Sequence, residues 1–277
     1  MIINLPIKFK NLFNVQEFKL RIMSTIVLFF LLFGLYVLGN PIFSFFFVII
    51  FFVLFYEFEF ICRNEIKKNQ IFKILIFQFL LFAFLISELY LSEITEKVSN
   101  FLVFLTVSIF INLLFFKTYI NWLSVFISSL IILSFFSLIN ILTLPDGLNF
   151  FLYLVILIST MDIFAYLGGK IFGKIKIAPK ISAGKTIEGT VIGLIVTVLM
   201  SLIAKFLVDF IFIQALIAGI LIALLAFGGD LLESYLKRDI GVKDSGNKIP
   251  GHGGVMDRFD GYFLILPLYN VYLLNWL

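Results

Sequence analysis

Between Ser234 and Asp260 the chain gathers five cations, four carboxylates, five glycines and its single histidine, His252, and strongly apolar segments flank them on both sides. Carboxylates hold hard divalent cations, such a cation bridges phosphate oxygens, and Lys or Arg neutralises what remains. The mixture therefore reads as a site for a polyphosphate and a metal ion. Asp230, Glu233, Ser234, Lys237 and Arg238 recur at three- and four-residue intervals, which on a helix puts them on one face climbing out of the membrane. Asp257 and Asp260 are also three apart, and the Pro250-Gly-His-Gly-Gly254 run ahead of them predicts a tight turn whose amides are free to bind anions. The paired Gly228 and Gly229 let a second backbone, or a ligand, come close just before the Asp230 carboxylate.

A second polar group lies upstream. Asp162 falls inside an apolar run, where an ionised side chain costs about 2.5 kcal/mol or more. It needs either a wet, functional cavity or an interhelical hydrogen bond or ion pair. Glycines and lysines follow it, leading to Ser182-Ala-Gly-Lys185-Thr186-Ile-Glu188-Gly189. Gly184-Lys185-Thr186 looks like the end of a P-loop, but the first glycine of that motif would fall on Pro179, and no strand is expected before it. Lys185 has two readings, a phosphate ligand or a basic loop residue drawn to lipid headgroups.

Membrane helices must position these groups. The chain is 62% hydrophobic and only 14% charged, with a mean hydropathy of +1.13, far outside the range of soluble domains. Its apolar runs continue over roughly 17 to 25 residues instead of alternating, which predicts spanning helices and not a β-barrel. The expected fold is an all-α, polytopic integral membrane protein with about nine transmembrane helices. They are placed near residues 22–39, 41–62, 71–90, 101–116, 119–142, 150–168, 190–208, 211–235 and 259–275. With a cytoplasmic N-terminus, all Lys and Arg residues except Lys97 and Lys205 fall on the cytoplasmic side. The net charge of +4 thus reports topology, and nucleic acid is not an expected partner. No small-residue cleavage site precedes Asn40-Pro41, so the first span is read as a retained helix. A lone cysteine, Cys62, excludes an intrachain disulfide and a Cys-built zinc site, and is read as a packing residue.

Organisation is lopsided. Residues 1–145 read as structural, lipid-facing helices, in which the 38 phenylalanines serve packing and the lipid surface. Glu57 and Glu59 stand out there, and an interfacial place near the cytoplasmic headgroups is their simplest reading. Residues 146–277 read as the catalytic region, with cytoplasmic loops at 169–189 and 236–258.

The segment from Ser234 to Asp260 resembles the signature of the phosphatidate cytidylyltransferase, or CDP-diacylglycerol synthase, family: Ser-x-x-Lys-Arg, then Lys-Asp, then Pro-x-His-Gly-Gly-x-x-Asp-Arg-x-Asp. Ser234, Lys237, Arg238, Lys243, Asp244, Pro250, His252, Gly253, Gly254, Asp257, Arg258 and Asp260 fill every such position. The likeness extends to Gly228-Gly229-Asp230, to Ser182, Lys185, Thr186, Glu188 and Gly189, and weakly to Arg21 and the Glu57 region. Ala183 stands where the family usually has proline, and Phe58 where tryptophan often follows the glutamate; neither changes a charged position. The resemblance implies that CTP and phosphatidate give CDP-diacylglycerol and pyrophosphate in phospholipid biosynthesis, at the cytoplasmic face of the cell membrane.

It further implies Mg²⁺ on Asp230 and Asp257, with Asp260 orienting or sharing that site beside a monovalent cation such as K⁺. Asp244 is a further ligand or a partner of the loop lysines. Lys237, Arg238, Lys243 and Arg258 are implied phosphate contacts, with Ser182 and Lys185 reaching nucleotide or lipid phosphate from the other loop. Ser234 belongs to the same substrate-binding set. His252 either assists the leaving pyrophosphate or fixes its turn. A homodimer is the implied assembly. Rival readings are a CTP-dependent polyprenol kinase, an ether-lipid cytidylyltransferase, and an ion transporter using Asp162, Asp230 and Asp257. The last lacks a continuous polar path across the bilayer.

Overall fold

A computed structural model describes residues 33–62, 122–246 and 253–276, with single positions at 27, 30 and 31. The spans expected near 71–90 and 101–116, part of that near 22–39, Arg21, and the loop residues 247–252 with His252 lie outside the described residues. Helices α1 (Asn40–Cys62), α2 (Trp122–Thr143), α3 (Gly147–Phe172), α4 (Ile187–Ala204) and α5 (Phe212–Ile240) are followed by a one-turn helix α6 (Met256–Phe259) and by α7 (Tyr262–Trp276). Among the described residues five helices, α1 to α5, are long and apolar enough to cross a membrane. The chain is a largely helical, multi-pass membrane protein.

Helix ends follow caps more closely than they follow the edge of the apolar run. Helix α5 continues past the expected limit at 235 to Ile240, where Gly241, at φ 83°, closes it. There the Gly241 amide donates to the Arg238 carbonyl and the Val242 amide to the Lys237 carbonyl at 2.8 Å, a Schellman ending that a glycine adopts without strain. Three more charged residues, Lys237, Arg238 and Asp239, are thereby carried on a rigid helix.

The connection between α3 and α4 corrects the purely helical expectation. Strands β1 (Lys176–Ala178) and β2 (Ser182–Thr186) form an antiparallel hairpin that pairs Lys176 with Thr186 and Ala178 with Ser182. Thr186 then caps α4, its Oγ1 accepting from the Gly189 amide at 3.2 Å. A strand does precede α4, where none was expected; local sequence could not reveal it, because the pairing of a short hairpin is fixed by the two helices at its ends.

Helix α2 is innermost, with every residue from 131 to 142 buried. Phe43, Phe47, Phe51 and Phe55 recur every four residues on α1 and are at most 2% exposed, whereas Phe45 and Phe60 face outward. The inward rings meet Phe135 of α2 and Phe151 of α3, and Phe47 and Phe135 both contact Phe259 at 6.3 and 6.2 Å. Phe259 and the fully buried Met256 are the apolar anchors of α6, whose other two residues, Asp257 and Arg258, are charged. Small residues bring α3 and α4 together: a Cβ at Gly193 would sit 2.9 Å from both the Ala165 Cβ and the Met161 sulfur, and one at Gly189 would fall on the Ala165 carbonyl. This is the close backbone approach that Gly-x-x-x-Gly permits in lipid, where packing replaces the hydrophobic effect. In α7, Pro267 removes the amide that would bond the Phe263 carbonyl, and Ser134 of α2 donates its hydroxyl to that oxygen at 2.7 Å.

Candidate active site

The C-terminal half of α3, the hairpin, α5 and α6 enclose a cavity of about 660 Å³, large enough for a nucleotide. Asp162, Tyr166, Gly169 and Lys170 present one face of α3 to it, at the three- and four-residue spacing of a helix. Helix α5 supplies Asp230 and Phe227, β2 supplies Ser182 and Lys185, β1 supplies Lys176, and the α6 segment supplies Asp257, Arg258 and Asp260. Gly229 explains how α5 and α6 meet. A Cβ there would lie 2.7 Å from the Asp260 carbonyl, so only glycine lets Asp230 and Asp260 share a wall.

Lys185 lies 2.7 Å from Asp230 and its ammonium sits 5.1 Å over the Phe227 ring. Ser234, one turn on, donates to the other Asp230 oxygen at 3.3 Å. Asp162, Asp230 and Asp260 lie within electrostatic reach of one another, with Lys185, Arg258 and Lys237 as the nearby cations. The walls carry four carboxylates and four cations, so they have no net charge to offer an anion.

Behind this wall, Lys237 bridges two carboxylates, Glu233 at 2.6 Å and Asp257 at 2.8 Å, and all three are nearly sealed from solvent. Asp257 also accepts from the Ser245 amide at 3.0 Å and the Gly254 amide at 2.8 Å. Burial pushes the Asp257 carboxyl up, but the Lys237 hydrogen bond and the Gly254 and Ser245 amides outweigh it and hold it below the ordinary value of 3.8. The sign follows. The folded state favours the charged form, so this stabilisation is complete above the ordinary value and is lost as pH falls through the lower, folded one. Thermal unfolding should therefore be insensitive to this group between about pH 5 and 8 and lose its contribution below about pH 4. An Asp257→Asn variant should lack that acid-side segment of the profile.

Of the residues singled out in the sequence, Ser182, Lys185, Asp230, Asp257, Arg258 and Asp260 meet at the cavity. Lys237 is held behind it. Arg238 is exposed and pins the hairpin turn, its Nε donating to the Ile181 carbonyl at 3.2 Å. Lys243 and Asp244 are exposed on the loop after α5 and are not part of the wall. Glu188 is tied to the backbone, accepting from the Lys174 amide at 3.0 Å and the Ile175 amide at 3.3 Å, and so joins the end of α3 to the start of α4. The wall residues Tyr166, Lys170 and Lys176 were given no role from the sequence, and Glu233 only a place on the polar face of α5. For the first two the only signal was their helical spacing from Asp162. Glu57 is buried within the protein, 3% exposed, and its Oε2 accepts from the Met256 amide at 3.0 Å.

The carboxylates that line the cavity, Asp162, Asp230, Asp257 and Asp260, offer hard oxygens of the kind Mg²⁺ takes. Among the described residues no three His, Cys, Asp or Glu side chains are arranged to hold a metal ion, and both Asp257 oxygens accept from protein donors.

Fold and site together define a multi-pass membrane protein with a cavity lined by carboxylates, lysines and an arginine. Residues 19–276 match the model of the Cytidylyltransferase family, and the chain belongs to that family. Over 125 residues it is 44% identical to a phosphatidate cytidylyltransferase of Staphylococcus aureus (strain COL), covering 44% of this chain and 48% of that protein. A phosphatidate cytidylyltransferase of Staphylococcus saprophyticus is 46% identical over 125 residues, covering 44% of this chain and 47% of the relative. The uncharacterized protein YnbB of Escherichia coli (strain K12) is 46% identical over 118 residues, covering 42% of this chain and 40% of its own. The chain thus spans about half the length of the curated relatives it matches.

Proposed function

We propose that the protein transfers CMP from CTP to phosphatidate, forming CDP-diacylglycerol and pyrophosphate. The observation that carries this reading is one cavity holding the Lys185–Asp230 pair, Arg258 and Asp260, in a chain of the Cytidylyltransferase family. Phosphatidate brings its own ionised nucleophile, so the site needs no strong base. A lipid phosphate oxygen bonds to the CTP α-phosphorus as the bond to the β-phosphate bridging oxygen breaks in line, and pyrophosphate departs with that electron pair.

The difficulty is holding two anions together, so catalysis rests on position and charge. Lys185 and Arg258 on the wall bind phosphate oxygens, with Ser182 beside them and Lys170 and Lys176 toward the outer end of the α3 face. Lys237 and Arg238 act from behind, keeping Asp257 and the hairpin in place, while Lys243 and Asp244 lie on the loop after α5. Ser234 orients Asp230. Mg²⁺, when bound, neutralises phosphate charge; Asp230, Asp257 and Asp260 would hold it, with K⁺ beside Asp260. The neutral sum of the wall supports this, since its four Lys and Arg are matched in number by four carboxylates and do not offset the negative charge that two phosphorylated substrates add. The site faces the cytoplasm, where CTP is available, and the assembly is a homodimer.

Detergent-purified protein given labelled CTP, phosphatidate and Mg²⁺ is expected to move label into the lipid phase with stoichiometric release of pyrophosphate, and EDTA should stop it. Label that remains in water, with γ-phosphate passing instead to a polyprenol, would make the protein a lipid kinase and overturn the proposal.

A further inference from the structure

We infer that Glu57, on α1, is a positioning residue for the reaction: it clasps the neck of the loop that delivers Asp257 and Arg258 to the cavity. The inference rests on the proposed function for its kinetic consequence, though not for its geometry. Glu57 is 3% exposed on the inner face of a helix whose buried residues nearby, Phe51, Leu54, Phe55 and Phe58, are apolar, with Glu59 the other buried carboxylate. A carboxylate in such a place is costly unless it is used. Its Oε2 accepts from the Met256 amide at 3.0 Å, with the buried Ser245 hydroxyl 3.5 Å away.

The contact is closely fitted. A Cβ at Gly254 would come within 2.7 Å of the same oxygen, and one at Gly246 would stand 3.4 Å from Glu57 Oε1. Asp257 grips this neck as well, through the Ser245 and Gly254 amides. Two carboxylates, one from α1 and one from α6, therefore bind the two strands of a single neck, residues 245–246 and 253–256. The Phe47–Phe259 contact, 6.3 Å between centroids, fixes α6 to α1 one step further on. A helix from the apolar half of the chain thus sets where Asp257 and Arg258 stand. Glu57 touches no wall of the cavity itself, so its effect should fall on turnover more than on nucleotide affinity.

The test uses full-length wild type, Glu57→Gln, Glu57→Asp and Glu57→Leu, each assayed for kcat and KM and for amide hydrogen exchange in residues 243–256 and in α4. Glutamine keeps an oxygen that can accept from Met256 and should stay within about fivefold of wild type, whereas leucine should lower kcat about 10- to 100-fold with KM for CTP nearly unchanged. Aspartate, one methylene short, should fall between them; it serves as the reporter if the leucine variant does not fold. Exchange at 243–256 should quicken about tenfold or more in the Leu and Asp variants while α4 stays protected. Unchanged loop exchange, exchange rising equally in α4, or a glutamine variant as impaired as leucine would each overturn the inference. If wild type has no cytidylyltransferase activity, the proposed function fails, and loop exchange still decides the clasp.

Discussion

Replacing Lys237 with methionine is expected to destabilise the protein by about 3–5 kcal/mol and to abolish turnover, the cost typical of stranding a buried charge. Lys237 is 12% exposed and lies between Glu233, fully buried, and Asp257, 8% exposed. Methionine fills the same volume, so the loss is electrostatic and not a cavity. Two carboxylates are left within one buried cluster, with Asp260 close enough to Glu233 to add to the repulsion. Neutralising one of them should relieve part of this: Lys237→Met combined with Glu233→Gln should recover about 1–2 kcal/mol over the single variant, a coupling expected of residues in direct contact. Denaturation of the purified variants in one detergent measures both quantities. A single variant that unfolds at the wild-type midpoint, or a pair whose effects simply add, would show that the bridge contributes little. The same experiment separates stability from catalysis, because Lys237 stands behind the wall and should act on turnover only through Asp257.

Asp230→Asn should lower kcat by at least about 100-fold while leaving the fold intact, the size of effect seen when a preorganised charge is removed from a transition state. Asp230 is one-third exposed, and asparagine retains an oxygen for Ser234, so its stability change should stay below about 1 kcal/mol. The Lys185 partner makes a second, oppositely signed expectation. With its ammonium 2.7 Å from Asp230, Lys185 occupies the space beside the carboxylate that a divalent cation would also seek. Lys185→Gln should therefore bind Mn²⁺ more tightly than wild type when no nucleotide is present, while Asp230→Asn binds it less tightly. Both variants should be poor enzymes, since phosphate loses a cation in one and the metal loses a ligand in the other. Mn²⁺ titration followed by electron paramagnetic resonance reads this without reference to activity. Equal affinities in wild type and both variants would remove Asp230 from the metal site.

The amino-acid sequence by itself determined that this chain crosses a membrane, roughly where six of its described helices lie, and which stretch gathers most of the charged residues around the cavity. These are properties of runs and spacings: an apolar stretch of some twenty residues must be helical in lipid, and Asp230, Ser234, Lys237 and Arg238 share a helix face whatever surrounds them. Gly228-Gly229 also announced a close backbone approach, and Gly229 meets the Asp260 carbonyl.

Tertiary structure alone decided which of those charged residues reach the cavity. Lys237 and Arg238 are adjacent in sequence and equally basic, yet one is sealed between Glu233 and Asp257 and the other lies out on the hairpin turn. It also decided the hairpin itself, because three- and five-residue strands have no periodicity to read, and it recruited Glu57 to the loop from 199 residues away. Burial and pairing are set by what packs across a helix face, and sequence spacing specifies the face without specifying what lies opposite it.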